Sequence, residues 1–152
     1  RKTLYEAIPS LHQIRRFIFH GFTKACHECY SFDSGTERNF AQILEQDSEV
    51  LVWLRPAAMQ FNIHWGRDSR RYEPDFVVET TDSIYLVETK ASKELSHEDV
   101  QAKAEAARQY CSLATEYTTK HGGKPWYYLL VSHLDIEPTF SFKYVRELSK
   151  QN

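Results

Sequence analysis

Two short apolar runs set the strongest constraint on this chain. Val77-Val78-Glu79 and Ile84-Tyr85-Leu86-Val87 are β-branched and aromatic, and Thr80-Thr81-Asp82-Ser83 between them is turn chemistry. They read as a hairpin with a four-residue loop. Closing the loop at Glu79 and Ile84 sets Val77 opposite Leu86 and carries Asp75 opposite Glu88. Opposed residues share a sheet face with Cβ atoms roughly 5 Å apart. Side chains alternate along a strand, so Lys90 joins Glu88 on that face. Two carboxylates and one ammonium therefore meet on one patch.

Carboxylates held this close repel unless a cation lies between them. Hard oxygen ligands without Cys or His nearby suit Mg²⁺ or Mn²⁺ rather than Zn²⁺. Such an ion polarises a phosphoryl oxygen and lowers the pKa of bound water, as phosphodiester hydrolysis requires. Lys90 can orient that water and offset transition-state charge. The plainer reading is a surface hairpin whose charges are solvated and neutralised by Lys90. Pro74, the strand register and the apolar Leu86-Val87 lead-in favour the metal site.

Pro74-Asp75 followed by Glu88-x-Lys90 resembles the PD-(D/E)xK motif of restriction-endonuclease-like nucleases. More narrowly, Phe32 to Lys90 resembles the C-terminal nuclease domain of type III restriction enzyme restriction subunits. The matching pieces are Phe32-Asp33-Ser34, Glu37-Arg38-x-Phe40-Ala41, Trp53-Leu54-Arg55-Pro56, Phe61-x-Ile63, Tyr72-x-Pro74-Asp75-Phe76 and Tyr85-Leu86-Val87-Glu88-Thr89-Lys90. The short motif is matched often by chance, whereas the spaced series is more specific.

This resemblance implies an α/β fold with a restriction-endonuclease-like core, a mixed, mainly antiparallel sheet flanked by helices. It implies a DNA endonuclease in which Asp75 and Glu88 hold Mg²⁺, with Mn²⁺ able to substitute, and Thr89 lends its carbonyl. Lys90 then serves the water and the transition state. Glu37 occupies the position of a further metal ligand, but it also fits the reciprocal member of a capping box reaching back to the Ser34 amide. Gln101 matches the place of a glutamine that orients water or backbone, although Glu105 stands where its usual tyrosine companion would be. Arg67, Arg70 and Arg71 lie in the turn before Asp75 and are either phosphate contacts or a solvated basic turn.

The resemblance further implies a cytoplasmic restriction system defending against foreign DNA. Its partners would be DNA, a helicase or translocase domain that uses ATP, and a modification methyltransferase subunit. Two rivals are a different restriction-like nuclease, such as a recombination exonuclease or an RNA-acting relative, and a catalytically idle module that binds DNA or docks subunits.

A length of 152 residues supports one core. No run is long enough to cross a membrane, and the start shows no signal peptide. The chain begins at Arg1 and has one methionine, Met59, which reads as an excised or processed piece of something longer. A net charge of −2 excludes a globally basic nucleic-acid binder and leaves DNA contact to local patches. Cys26, Cys29 and Cys111 make an odd set without a disulfide framework, favouring a reducing compartment. Cys26-His27-Glu28-Cys29 has half of a zinc spacing and no second pair, so incidental thiols are the better reading.

Residues 1–30 read as a connector or N-terminal extension, with a short helix after Pro9, and residues 31–152 as the nuclease domain. Ser34-Gly35-Thr36-Glu37 opens a helix through Leu44. Strands are expected at Val50–Leu54, Phe61–Trp65, Asp75–Glu79 and Ile84–Thr89. A long helix follows from Ser96 to about Lys120, stopped by Gly122-Gly123, then a strand over Trp126–Val131. The stretch from Thr139 to Leu148 has no clear pattern.

Overall fold

The computed structural model describes residues 1–152. In chain order the elements are β1 (Lys2–Thr3), β2 (Phe19–His20), β3 (Cys29–Tyr30), α1 (Gly35–Gln46), β4 (Val50–Leu54), β5 (Ile63–Trp65), β6 (Arg70–Tyr72), β7 (Phe76–Thr80), β8 (Ile84–Lys90), α2 (Glu98–Lys120), β9 (Trp126–Ser132) and α3 (Phe142–Ser149). The central sheet has the order β4-β7-β8-β9. Its first two pairings are antiparallel and β8–β9 is parallel. A parallel neighbour needs a crossover, and α2 supplies it. The fold is therefore α/β, with a mixed, mainly antiparallel sheet flanked by helices, as expected. No helix is long and apolar enough to cross a membrane.

Strand alternation sends Phe76, Val78, Tyr85 and Val87 to one face, where they pack against Phe40, Ile43 and Leu44 of α1 and Phe142 and Val145 of α3. The opposite face carries Leu86 against Ala107 and Cys111 of α2, and Leu130 against Val100 and Ala104. The small residues along α2 let it lie close to the sheet. Ser34 caps α1 by accepting the Glu37 amide at 3.2 Å. Gly122, at φ +76°, makes the left-handed exit that ends α2.

The hairpin register is the expected one, with Glu79 opposite Ile84 and Val77 opposite Leu86. Asp75 itself precedes β7, which begins at Phe76. The strand expected over Phe61–Trp65 is shorter and leaves the main sheet. Ile63–Trp65 pairs with Arg70–Tyr72 in a separate two-stranded ribbon. The Phe61 amide is taken by Glu73 Oε2 at 3.2 Å, which removes it from the ladder. Positive φ at Gly66 and Ser69 tightens the reversal, so Arg70 and Arg71 stand on β6 and only Arg67 lies in the turn. The long helix starts at Glu98 rather than Ser96, because His97 Nδ1 accepts the Asp99 amide and acts as its cap.

Residues 1–30 lie against the same core. Leu4, Ile14 and Phe19 are buried in the cluster that holds α1 and α3. Trp53 of β4 donates its amide to the Lys24 carbonyl and accepts the Cys26 amide, which covers that sheet edge. The expected helix after Pro9 is a 3₁₀ turn over Leu11–Arg16, capped by Ser10.

Candidate active site

The patch forms where β8 leaves the core, on the face covered by α2. Thr89 fixes Asp75 there: its amide (2.9 Å) and its hydroxyl (3.1 Å) both donate to Asp75 Oδ2. Glu88 is 8% exposed, and Tyr72 donates its hydroxyl proton to Glu88 Oε2. The hydroxyls of Tyr72 and Tyr128 are 3.0 Å apart. Tyr72 has one O–H, already given to Glu88, so Tyr128 is the donor in that contact. The result is a directed chain from Tyr128 through Tyr72 to Glu88.

Electrostatics follow from this crowding. Burial holds the Glu88 carboxyl well above the ordinary carboxylate range, and the charge of Asp75 pushes it further. The Tyr72 hydrogen bond and the Lys90 ammonium act in the other direction. Burial also drives the Tyr72 hydroxyl upward, with Glu88 adding to it, so Tyr72 stays a neutral donor. Lys90 ends β8 and has no carboxylate partner within salt-bridge distance.

Glu37 is 5% exposed at the first turn of α1. Its Oε2 accepts the Asp33 amide at 2.6 Å and its Oε1 accepts from Arg55 at 3.1 Å. The reciprocal capping contact thus lands on Asp33, one residue before the expected Ser34 amide. Burial raises the Glu37 pKa, Arg55 lowers it, and Asp75 raises it again, so Glu37 feels the charge of the patch. Arg55 packs over Phe32 and Phe76, with its guanidinium carbon 5.2 and 5.6 Å from their ring centres.

Gln101 and the three arginines make no hydrogen bond or salt bridge to the carboxylates. Gln101 donates its side-chain amide to the Leu95 carbonyl at 2.6 Å, which ties the start of α2 to the preceding loop. Arg67, Arg70 and Arg71 are exposed on the β5–β6 ribbon. Arg70 lies 4.9 Å from the Trp65 ring centre, and Lys103 of α2 lies 4.9 Å from the same centre.

No group of three or more His, Cys, Asp and Glu side chains is arranged to hold a metal, and Cys26 and Cys29 belong to none. The donor chemistry at the patch nevertheless suits a hard cation. Asp75 Oδ1 and Glu88 Oε1 accept none of the hydrogen bonds from Thr89 and Tyr72, and a charge between the two would relieve the repulsion that raises Glu88. The hydrogen-bonded roles of Tyr72, Tyr128, Arg55 and the Thr89 side chain were not legible in the sequence. Tyr72 sits near the Pro74-Asp75 pair and could have been suspected from that spacing. Tyr128 is on a strand reached only through the α2 crossover, and nothing local marks it.

The family model described as TnsA-like endonuclease N terminal matches residues 40–115, half of the chain. The match includes Asp75, Glu88 and Lys90 and begins just after Glu37. No curated protein matches the chain.

Proposed function

The chain belongs to the TnsA-like endonuclease N-terminal family, and from that premise we propose that it is a metal-dependent endonuclease domain hydrolysing DNA phosphodiester bonds. The observation that carries this reading is the pair Asp75 and Glu88, held on one patch with Glu88 far from its ordinary ionisation. A Mg²⁺ or Mn²⁺ ion held by Asp75 and Glu88 would supply Lewis-acid activation of a phosphoryl oxygen and of water. The Thr89 carbonyl is assigned as a further oxygen donor. Glu37 is assigned a contribution through its charge or, on release from Arg55, as a ligand. Lys90, free of carboxylate partners, orients the attacking water and offsets charge on the phosphoryl group. Arg67, Arg70 and Arg71 grip flanking phosphates, and Gln101 steadies the loop leading into α2.

The narrower assignment is the cleavage module of a type III restriction enzyme. The spaced pieces between Phe32 and Lys90 support it. In that setting an ATP-driven helicase or translocase domain and a methyltransferase subunit bring the module to foreign DNA. The family that matches is named for a different endonuclease, so the test of the narrower assignment is whether cutting depends on ATP and those partners. The free thiols of Cys26, Cys29 and Cys111 support a reducing, cytoplasmic setting.

Calorimetric titration of Mn²⁺, with and without a short duplex, tests the core of the reading. Wild type binds, and Glu88→Gln binds far more weakly. Asp75→Ala abolishes Mn²⁺-dependent nicking while leaving the circular dichroism spectrum unchanged. If wild type binds no Mn²⁺ even with DNA present, the chain is an idle module for DNA binding or docking.

A further inference from the structure

Each of the two carboxylates has one oxygen already engaged by hydrogen bonds from its own protein. Asp75 Oδ2 accepts twice, from the Thr89 amide and the Thr89 hydroxyl. A carboxylate oxygen has two lone-pair sites in the carboxyl plane, so this oxygen is full. Glu88 Oε2 accepts a hydrogen bond from the Tyr72 hydroxyl inside a buried site. Tyr72 is itself held by the Tyr128 hydroxyl at 3.0 Å and by ring contact, with centroids 6.5 Å apart at 73°. Its hydroxyl therefore has little freedom to swing away and release Oε2.

We infer that Tyr72 and Thr89 are positioning residues that oppose bidentate metal binding by Glu88 and Asp75, so the site discriminates against Ca²⁺. The inference rests on the metal reading proposed for this site and deepens it. Mg²⁺ and Mn²⁺ accept one oxygen per carboxylate and keep several waters. Ca²⁺ takes six to eight oxygens and commonly gains them from bidentate carboxylates. A site that offers two protein carboxylate oxygens satisfies the first kind of ion better than the second.

The test titrates Mn²⁺ and Ca²⁺ separately into the full chain by calorimetry, for wild type, Tyr72→Phe, Tyr128→Phe and Thr89→Val. Wild type is expected to bind Mn²⁺ and to bind Ca²⁺ more weakly. Tyr72→Phe frees Oε2 and narrows the Mn²⁺-over-Ca²⁺ preference by about tenfold, the scale of second-shell effects on metal affinity. Thr89→Val shifts the ratio in the same direction, because it frees one lone pair of Asp75 Oδ2. Tyr128→Phe leaves Tyr72 bonded to Glu88 and shifts the ratio less than Tyr72→Phe.

A merely structural role for Tyr72 would weaken both ions equally and leave their ratio alone. An unchanged ratio in both Tyr72→Phe and Thr89→Val, or a wild type that binds Ca²⁺ as tightly as Mn²⁺, overturns the inference while leaving the metal reading intact. Absence of Mn²⁺ binding by wild type overturns both. If Tyr72→Phe is not folded by circular dichroism, the Thr89→Val ratio decides.

Discussion

Glu88 sits in an environment that opposes its own charge. Its folded-state pKa lies above the ordinary 4.5, first because it is buried and then because Asp75 faces it. For a carboxyl raised in this way, the folded state binds the proton more tightly than the unfolded chain does. The stability linked to Glu88 is therefore fully present below pH 4.5 and is lost as pH rises through the folded value. We predict that the metal-free wild type loses melting temperature relative to Glu88→Gln as pH rises above 4.5, and that Mn²⁺ removes the difference. Thermal melts of the two proteins at a series of pH values check it, and parallel curves would contradict it. At this scale Asp75, Glu88 and Lys90 were legible because they lie within one hairpin, where alternation alone decides which side chains meet. Arg55 and Tyr128 were not, since their partners come from α1 and β6 and depend on packing between layers.

At the scale of elements, legibility followed length and periodicity. The hairpin and α2 carry long, regular patterns, and they fold where those patterns place them. The β5–β6 ribbon departs from the expected strand because two positive-φ residues and a Glu73 carboxylate, rather than hydrophobic pattern, decide its boundaries. The C-terminal stretch shows no clear pattern because α3 is only eight residues long and buries just Phe142, Val145 and Ser149. Yet α3 closes the face that α1 leaves open. Phe142 is fully buried, 5.2 Å from the Tyr85 ring centre and 6.2 Å from that of Phe40. Its amide donates to Asp47 at 2.7 Å, which links the start of α3 to the end of α1. Phe142→Ala is expected to destabilise the fold by about 3–5 kcal/mol, the range for truncating a buried aromatic. Urea denaturation checks this, and a cost under about 1 kcal/mol would mean that α3 is not part of the cooperative core.

Over the whole molecule, a net charge of −2 hides an uneven distribution. Salt bridges occupy Arg15, Arg55, Lys120, Lys124, Arg146 and Lys150. Among the cations without such a partner are Arg67, Arg70, Arg71, Lys90 and Lys103, from the ribbon, the end of β8 and α2. Arg70 and Lys103 converge on one indole, Trp65, so two like charges are held together without a counter-charge. A phosphate backbone supplies that counter-charge, and it would be presented from the ribbon that runs into Asp75. Arg70 and Arg71 stand on β6, nearest Asp75 in sequence, so they are the more informative pair. We predict that Arg70→Glu with Arg71→Glu weakens duplex binding across unrelated sequences. The slope of log K against log salt should fall by about 0.9 for each phosphate that is no longer neutralised. Fluorescence anisotropy across a salt series, in an Asp75→Ala background that prevents cutting, provides both numbers. Unchanged affinity and slope would move the DNA-binding face off the ribbon, whereas a loss confined to one sequence would assign these arginines to base reading instead.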